Sequence, residues 1–181
     1  GARGMGALEF EPAQIKTSKQ TFAIEIKSLV EAAHKMLANR EDFGTNLQAD
    51  ERKAMTEILK IGTSAGGARP KAVIAYNQKT GMVKSGQTKA PKGFEHWMIK
   101  LDGVSDAQFG ATHGFGRVEM AYYYMAVDCG IQMMDCELLE DGDRAHFMTK
   151  RFDREGHDTK HHVQTFCAMQ HFDYNHLMAY S

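Results

Sequence analysis

Apolar positions recur with two different periods along this 181-residue chain, and the switches between them mark its elements. Within Thr21 to Asn39, Ile24, Leu29, Val30, Ala33 and Leu37 return at helical spacing with charges between them, which predicts an amphipathic helix. A second helix is predicted within Thr45 to Ile61, starting near Asp50, with Ala54, Ile58 and Leu59 on one face. The pattern then turns to short apolar runs closed by turn residues. Ala72 to Tyr76 (AVIAY) predicts a strand, Asn77 to Gly81 a hairpin loop, and Met82 to Lys84 the returning strand. Phe94 to Leu101 (FEHWMIKL) predicts a further strand whose Trp97, Ile99 and Leu101 share an apolar face. Its other face, Phe94, His96, Met98 and Lys100, is mixed and suits a cleft or a wet surface.

Arg117 to Cys129 is strongly apolar and predicts a helix stopped by Gly130. Strands are expected over Cys136 to Leu139 and Ala145 to Phe152, separated by the turn Asp141-Gly142-Asp143. Lys160 to Gln170 predicts a last helix, and the residues from His171 onward are irregular. A short strand over Met5 to Phe10, ended by Pro12, precedes all of this. Strands follow one another without alternating helices, so the expected class is α+β, an antiparallel sheet with flanking helices.

Composition narrows the function classes. Lys and Arg number 22 against 23 Asp and Glu, a balance that gives no support to direct duplex binding. Three cysteines, none in a CxxC pair, make a poor disulfide framework and point to a reducing compartment. The longest apolar run, Met120 to Val127, falls far short of the ~20 residues that cross a bilayer. The chain starts at Gly1 without a Met and reads as a piece of something longer.

Three segments carry candidate chemistry. The first is Gly62-Thr63-Ser64-Ala65-Gly66-Gly67-Ala68-Arg69-Pro70-Lys71. Successive glycines let backbone N–H groups turn toward one anion. Gly62 and Gly67 have the spacing of a Walker loop, but Ala68 stands where its lysine belongs, and the loop opens a strand instead of a helix. A glycine loop feeding a strand is the protein-kinase form of phosphate cradle; taken alone, the segment serves equally well as a flexible connector. The second is Lys100, a strand lysine downstream of that loop, with Glu119 as the first carboxylate of the next helix. Protein kinases pair such a lysine with such a glutamate against the α/β-phosphates, although a lone strand lysine is commonly just solvated. The third is Phe147 to Arg154 (FMTKRFDR), where extended backbone can offer N–H and C=O groups to a purine edge, or simply end a strand in a charged turn.

With these residues assembled, the chain resembles the HipA-type toxin serine/threonine kinases of bacterial toxin–antitoxin modules. The matching segments keep the family's order: RGMGALEFEP (3–12), GTSAGGARPKAVIAYN (62–77), FEHWMIKLDG (94–103), GRVEMAYYYMAVDCGI (116–131) and HFMTKRFDREG (146–156). The resemblance implies the nucleotide-binding half of a HipA-like kinase over residues 1–170, with 171–181 as a connector toward a catalytic lobe. It implies ATP and Mg2+ as cofactors. Ser64, Ala65, Gly66, Gly67, Ala68 and Lys71 then form the nucleotide loop, Ser64 is the autophosphorylated serine whose modification ejects the loop, Lys100 is the ATP lysine with Glu119 as its partner, and Lys150 and Phe152 lie on the adenine hinge. The catalytic Asp and the metal-binding Asn are expected beyond residue 181, because in His171-Phe172-Asp173-Tyr174-Asn175 the Asp and Asn stand only two apart. The piece by itself is accordingly expected not to transfer phosphate. Partners implied are an aminoacyl-tRNA synthetase as substrate and a helix-turn-helix antitoxin, with DNA reached only through the antitoxin, no membrane, and a cytoplasmic location. The other reading of the same resemblance is a non-catalytic HipA-like module that binds such an antitoxin or another protein.

Nine histidines raise a metal site at His157, His161 and His162, but no cysteine or carboxylate completes a ligand set, and solvated histidines account for them better. The twelve methionines fall mostly in apolar segments, as core packing requires.

Overall fold

The computed structural model describes residues 6–9, 11–12, 23, 25–27, 29–31, 70–86, 89–104, 114–156 and 159–172. The glycine loop before Pro70, most of the first helix predicted from the sequence and all of the second, the tail beyond residue 172 and, apart from 6–9, the strand predicted over Met5 to Phe10 lie outside them.

Five strands form one antiparallel sheet: β1 (Lys71–Asn77), β2 (Met82–Ser85), β3 (Glu95–Lys100), β4 (Cys136–Asp141) and β5 (Arg144–Lys150), in the spatial order β2-β1-β3-β5-β4. One long helix, α1 (Phe115–Asp128), lies between β3 and β4 in sequence. A two-stranded ribbon of β6 (Arg154–Glu155) and β7 (Thr159–Lys160) and a single helical turn, α2 (Phe166–Met169), follow. The expected α+β class with an antiparallel sheet is what the chain adopts.

β1 and β3 occupy the middle of the sheet because their residues tolerate burial on both faces. Every residue of β1 from Ala72 to Tyr76 is buried. The turn to β2 is set by Asn77, whose side-chain Oδ1 accepts hydrogen bonds from the Lys79 and Thr80 amides at 3.0 and 3.1 Å, an Asx turn of the kind asparagine favours.

Antiparallel register assigns the faces, since residues directly opposite each other project to the same side. On one side stand Ala72, Ile99 and Met148, then Ile74 and Trp97, then Tyr76. Leu29 and Val30, from a helical stretch that includes residues 26–27 and 29–31, close this main core. Trp97 is fully buried there, edge-on to Tyr76 at 5.7 Å; burying a side chain of that size contributes on the order of 3 kcal/mol. On the opposite side stand Lys71, Lys100 and Phe147, then Val73, Met98 and Thr149, then Ala75 and His96. α1 packs on this second side over β4 and β5, where Met120 joins Cys136 and Phe147.

Two expectations need correction. The helix predicted over Lys160 to Gln170 is mostly extended: Thr159–Lys160 pairs with Arg154–Glu155, residues 161–165 are irregular, and only Phe166–Met169 is helical. Val163, Phe166 and Met169 are exposed, so no core rewards a longer helix. The apolar 117–129 segment is indeed helical, but begins at Phe115 and leaves Val118, Tyr122, Tyr124, Met125 and Val127 exposed, with Gly116 and Met120 its buried positions.

Candidate functional site

The site is built at the end of the sheet where β1 begins and β3 ends. Lys71 stands directly opposite Lys100, and Lys100 directly opposite Phe147. The Lys100 ammonium lies 5.7 Å from the centre of the Phe147 ring and forms an ion pair with Glu119 of α1. Both partners remain partly open to solvent, 32% for the lysine side chain and 24% for the glutamate. Burial lowers the Lys71 pKa from its ordinary value, and the neighbouring Lys100 charge adds to the effect while Glu119 opposes it. Two cations thus share one carboxylate, and the corner keeps a positive excess that an anion would relieve.

Glu119 reaches Lys100 because α1 is fixed at its first turn. The helix starts from Gly114, in the left-handed region at φ 92°, a residue with no side chain to cap it. Asp102 supplies the cap from the end of β3. Its carboxylate accepts hydrogen bonds from the Gly114 and Phe115 amides at 3.0 and 3.2 Å, and from Ala145 at 3.5 Å. A carboxylate there also meets the positive end of the helix dipole. The Asp102 amide donates to His146 Nδ1 at 2.9 Å, so the proton of this fully buried imidazole sits on Nε2. Burial lowers the His146 pKa, which keeps the ring neutral. Gly116 lets the helix lie on the strand: a Cβ there would stand 1.8 Å from the Ala145 carbonyl oxygen.

At the other end of the sheet Lys150 projects to the opposite face. Its ammonium pairs with Glu95 at 2.6 Å, and its amide donates to the Asp135 carbonyl. Phe152 lies in the following turn with 66% of its surface exposed. The structure therefore brings Lys71, Lys100 and Glu119 together and places the Lys150 and Phe152 side chains elsewhere. Ser64, Ala65, Gly66, Gly67 and Ala68 lie outside the described residues, as does His157. Among the described residues no three His, Cys, Asp or Glu side chains are grouped as a metal site would need, and no helix is long and apolar enough to cross a membrane.

The sequence reading missed two sets of residues. One is Asp102, just beyond the strand predicted to end at Leu101; a helix that opens on glycine must find its cap elsewhere, but which residue supplies it is not a local signal. The other is the charge cluster after β5. Arg151 and Arg154 both pair with Asp153, at 2.6 and 2.8 Å, and all three side chains are about nine-tenths buried. Burial by itself would raise the Asp153 pKa, but the two guanidiniums outweigh it and hold the carboxyl below its ordinary range. Arg154 also donates to the Gly6 carbonyl and Lys160 pairs with Glu9, which ties residues 6–9 to this cluster.

The model of the HipA-like C-terminal domain family matches residues 63–181. The chain belongs to the HipA family. That match spans all five strands and α1, so this HipA-like sheet holds its lysine–glutamate pair inside the family's own domain. No curated protein and no solved structure matches the chain significantly.

Proposed function

We propose that this HipA-like chain carries the ATP-binding part of a serine/threonine protein kinase. The observation that carries the reading is the Lys100–Glu119 ion pair between β3 and the helix that follows it, the pairing on which protein kinases depend to hold the α/β-phosphates. The corner fits the group chemically. Lys71 and Lys100 with one carboxylate suit a polyphosphate, and the apolar side chains of Val73 and Met98 continue along the same face, as a purine would need. Mg-ATP would supply the transferable phosphoryl group. In this reading Lys100 holds phosphate oxygens, Glu119 orients the lysine, Lys71 adds charge, and residues 64–68 fold over the phosphates.

The remaining assignments belong to the same proposal. Residues 1–170 form the nucleotide-binding part and 171–181 lead toward a catalytic lobe that supplies the base and the Mg2+ ligands. Lys150 and Phe152 lie on the adenine hinge, Ser64 is the autophosphorylation site, an aminoacyl-tRNA synthetase is the substrate class and a helix-turn-helix antitoxin the partner, in the cytoplasm. The exposed apolar side of α1 favours a second reading, a non-catalytic module that docks such a partner. One experiment separates the two. The protein is incubated with Mg-ATP, nucleotide binding is followed by calorimetry, and phosphate is mapped by peptide mass spectrometry, with Lys100→Ala alongside. ATP binding lost in the variant, with Lys100-dependent phosphate on Ser64 in the full-length protein, supports the kinase. Absence of both binding and phosphate leaves the docking module.

A further inference from the structure

We propose that Asp102 is the positioning residue of this site: by capping α1 from the end of β3 it sets Glu119 onto Lys100. The inference rests on the nucleotide-binding reading for its consequence but not for its geometry.

Lys100 and Asp102 are two residues apart at the end of one strand, and both reach α1. Lys100 grips Glu119, in the helix's second turn. Asp102 grips the first turn through the Gly114 and Phe115 amides. The helix is thus held to β3 at two points separated by about one turn. A third contact fixes its distance, since Asp102 also reaches the Ala145 amide of β5, and Gly116 rests against the Ala145 carbonyl. Asp102 has little room to turn: it is 4% exposed, and its own amide is bound to the buried His146.

The alternative way to hold Glu119 would be apolar packing of α1. That packing rests on Met120, buried against Cys136 and Phe147, with Tyr123 partly buried beside it. Gly114 offers no cap of its own, and the first turn of α1 carries no acidic residue. The Asp102 carboxylate is therefore the fixed point of the helix's first turn on β3, beside the looser, exposed contacts of Arg117 to the Asp143 carbonyl and Glu140. In a kinase-like site the consequence falls on nucleotide affinity, because a displaced Glu119 leaves Lys100 unoriented.

The test reads the pair directly. A water-soluble carbodiimide joins a lysine amine and a carboxyl group in contact as an amide, with loss of water, and the linked peptides are counted by mass spectrometry. The native protein should give a Lys100–Glu119 link and, at the other end of the sheet, a Lys150–Glu95 link as internal control. In Asp102→Ala the first link should fall several-fold while the control persists. Asp102→Asn keeps the size and one acceptor oxygen, so it should give an intermediate loss and serves where the alanine variant does not fold. An unchanged Lys100–Glu119 link in either folded variant would overturn the proposal, as would equal loss of both links, which marks a general stability role. ATP affinity measured on the same variants keeps the two readings apart. A lost link in a protein that never bound ATP upholds the positioning role and discards the nucleotide site. A lost link with weaker ATP binding upholds both.

Discussion

Lys71 and Lys100 stand directly across from each other at the paired ends of β1 and β3, and Glu119 is the carboxylate that both of them sense. The Lys100 charge works with burial to disfavour a charge on Lys71, so the two lysines repel each other across the strand pair. An anion that enters relieves that repulsion.

From this relationship we expect Lys71→Met to weaken ATP binding about tenfold, near 1.4 kcal/mol, and Lys100→Met to weaken it further. Both variants should keep their thermal stability within about 1 kcal/mol, because a part-exposed ion pair contributes little to folding. Calorimetric titration and a melting curve on each variant check the two halves of the statement. Tight ATP binding by Lys100→Met would remove the corner from the nucleotide site.

Gly116→Ala should be the most damaging single-methyl change in the helix. The new Cβ meets backbone, not a movable side chain, at 1.8 Å, so α1 must lift from β5. We expect a loss of at least about 2 kcal/mol, at the upper side of ordinary overpacking, measured by urea unfolding. Val118→Ala, on the exposed side of the same helix, should change little by comparison.

Acid should destabilise the fold before the ordinary carboxylates protonate. His96 is buried, and burial, reinforced by Arg154 and Arg151, lowers its pKa from 6.5 to about 4. An unfolded histidine binds a proton in that interval and the folded one does not, so the contribution is complete above pH 6.5 and is lost as pH falls toward 4. The slope reaches up to about 1.4 kcal/mol per pH unit. His146, also lowered by burial, acts in the same direction. Urea midpoints between pH 4 and 7 should fall with acid in the native protein and fall less in His96→Gln; parallel curves would contradict the assignment.

Asp153→Ala should cost about 3–5 kcal/mol, because it removes the carboxylate with which both buried guanidiniums, Arg151 and Arg154, form ion pairs. It should also loosen residues 6–9, which Arg154 holds through the Gly6 carbonyl. Limited proteolysis near the N-terminus is the sensitive readout, and an unchanged digestion pattern would show that the cluster does not hold that segment.

Much of the sheet is legible in the sequence because its signals are local. AVIAY, a short apolar run closed by Asn77, reads as a strand; the Trp97, Ile99 and Leu101 alternation names the core face of β3; Asn77 and Gly81 announce the hairpin. Lys100 and Glu119 could be paired on paper from their order alone. What escaped notice depends on groups distant in the chain. Asp102 matters only because Gly114 folds back to it. Gly114 and Gly116 look like loop residues until the first proves to be a cap and the second a point of contact with β5. The helix predicted over Lys160 to Gln170 forms only at Phe166–Met169, because its apolar side chains Val163, Phe166 and Met169 find no surface to bury them, which the local sequence does not reveal.

The strand order has a consequence for how the molecule is assembled. β1 with β2, and β4 with β5, are hairpins of neighbours in sequence, each closed by a short turn. β3 reaches β5 only across the whole of α1, the joint with the longest connection to close. Lys100 faces Phe147 across that joint. β1 and β3 bring Lys71 opposite Lys100 on their own, but Phe147 and the helix that carries Glu119 complete the corner only from the other side of that joint, so a ligand held by the whole corner would reward only chains whose two halves have already met.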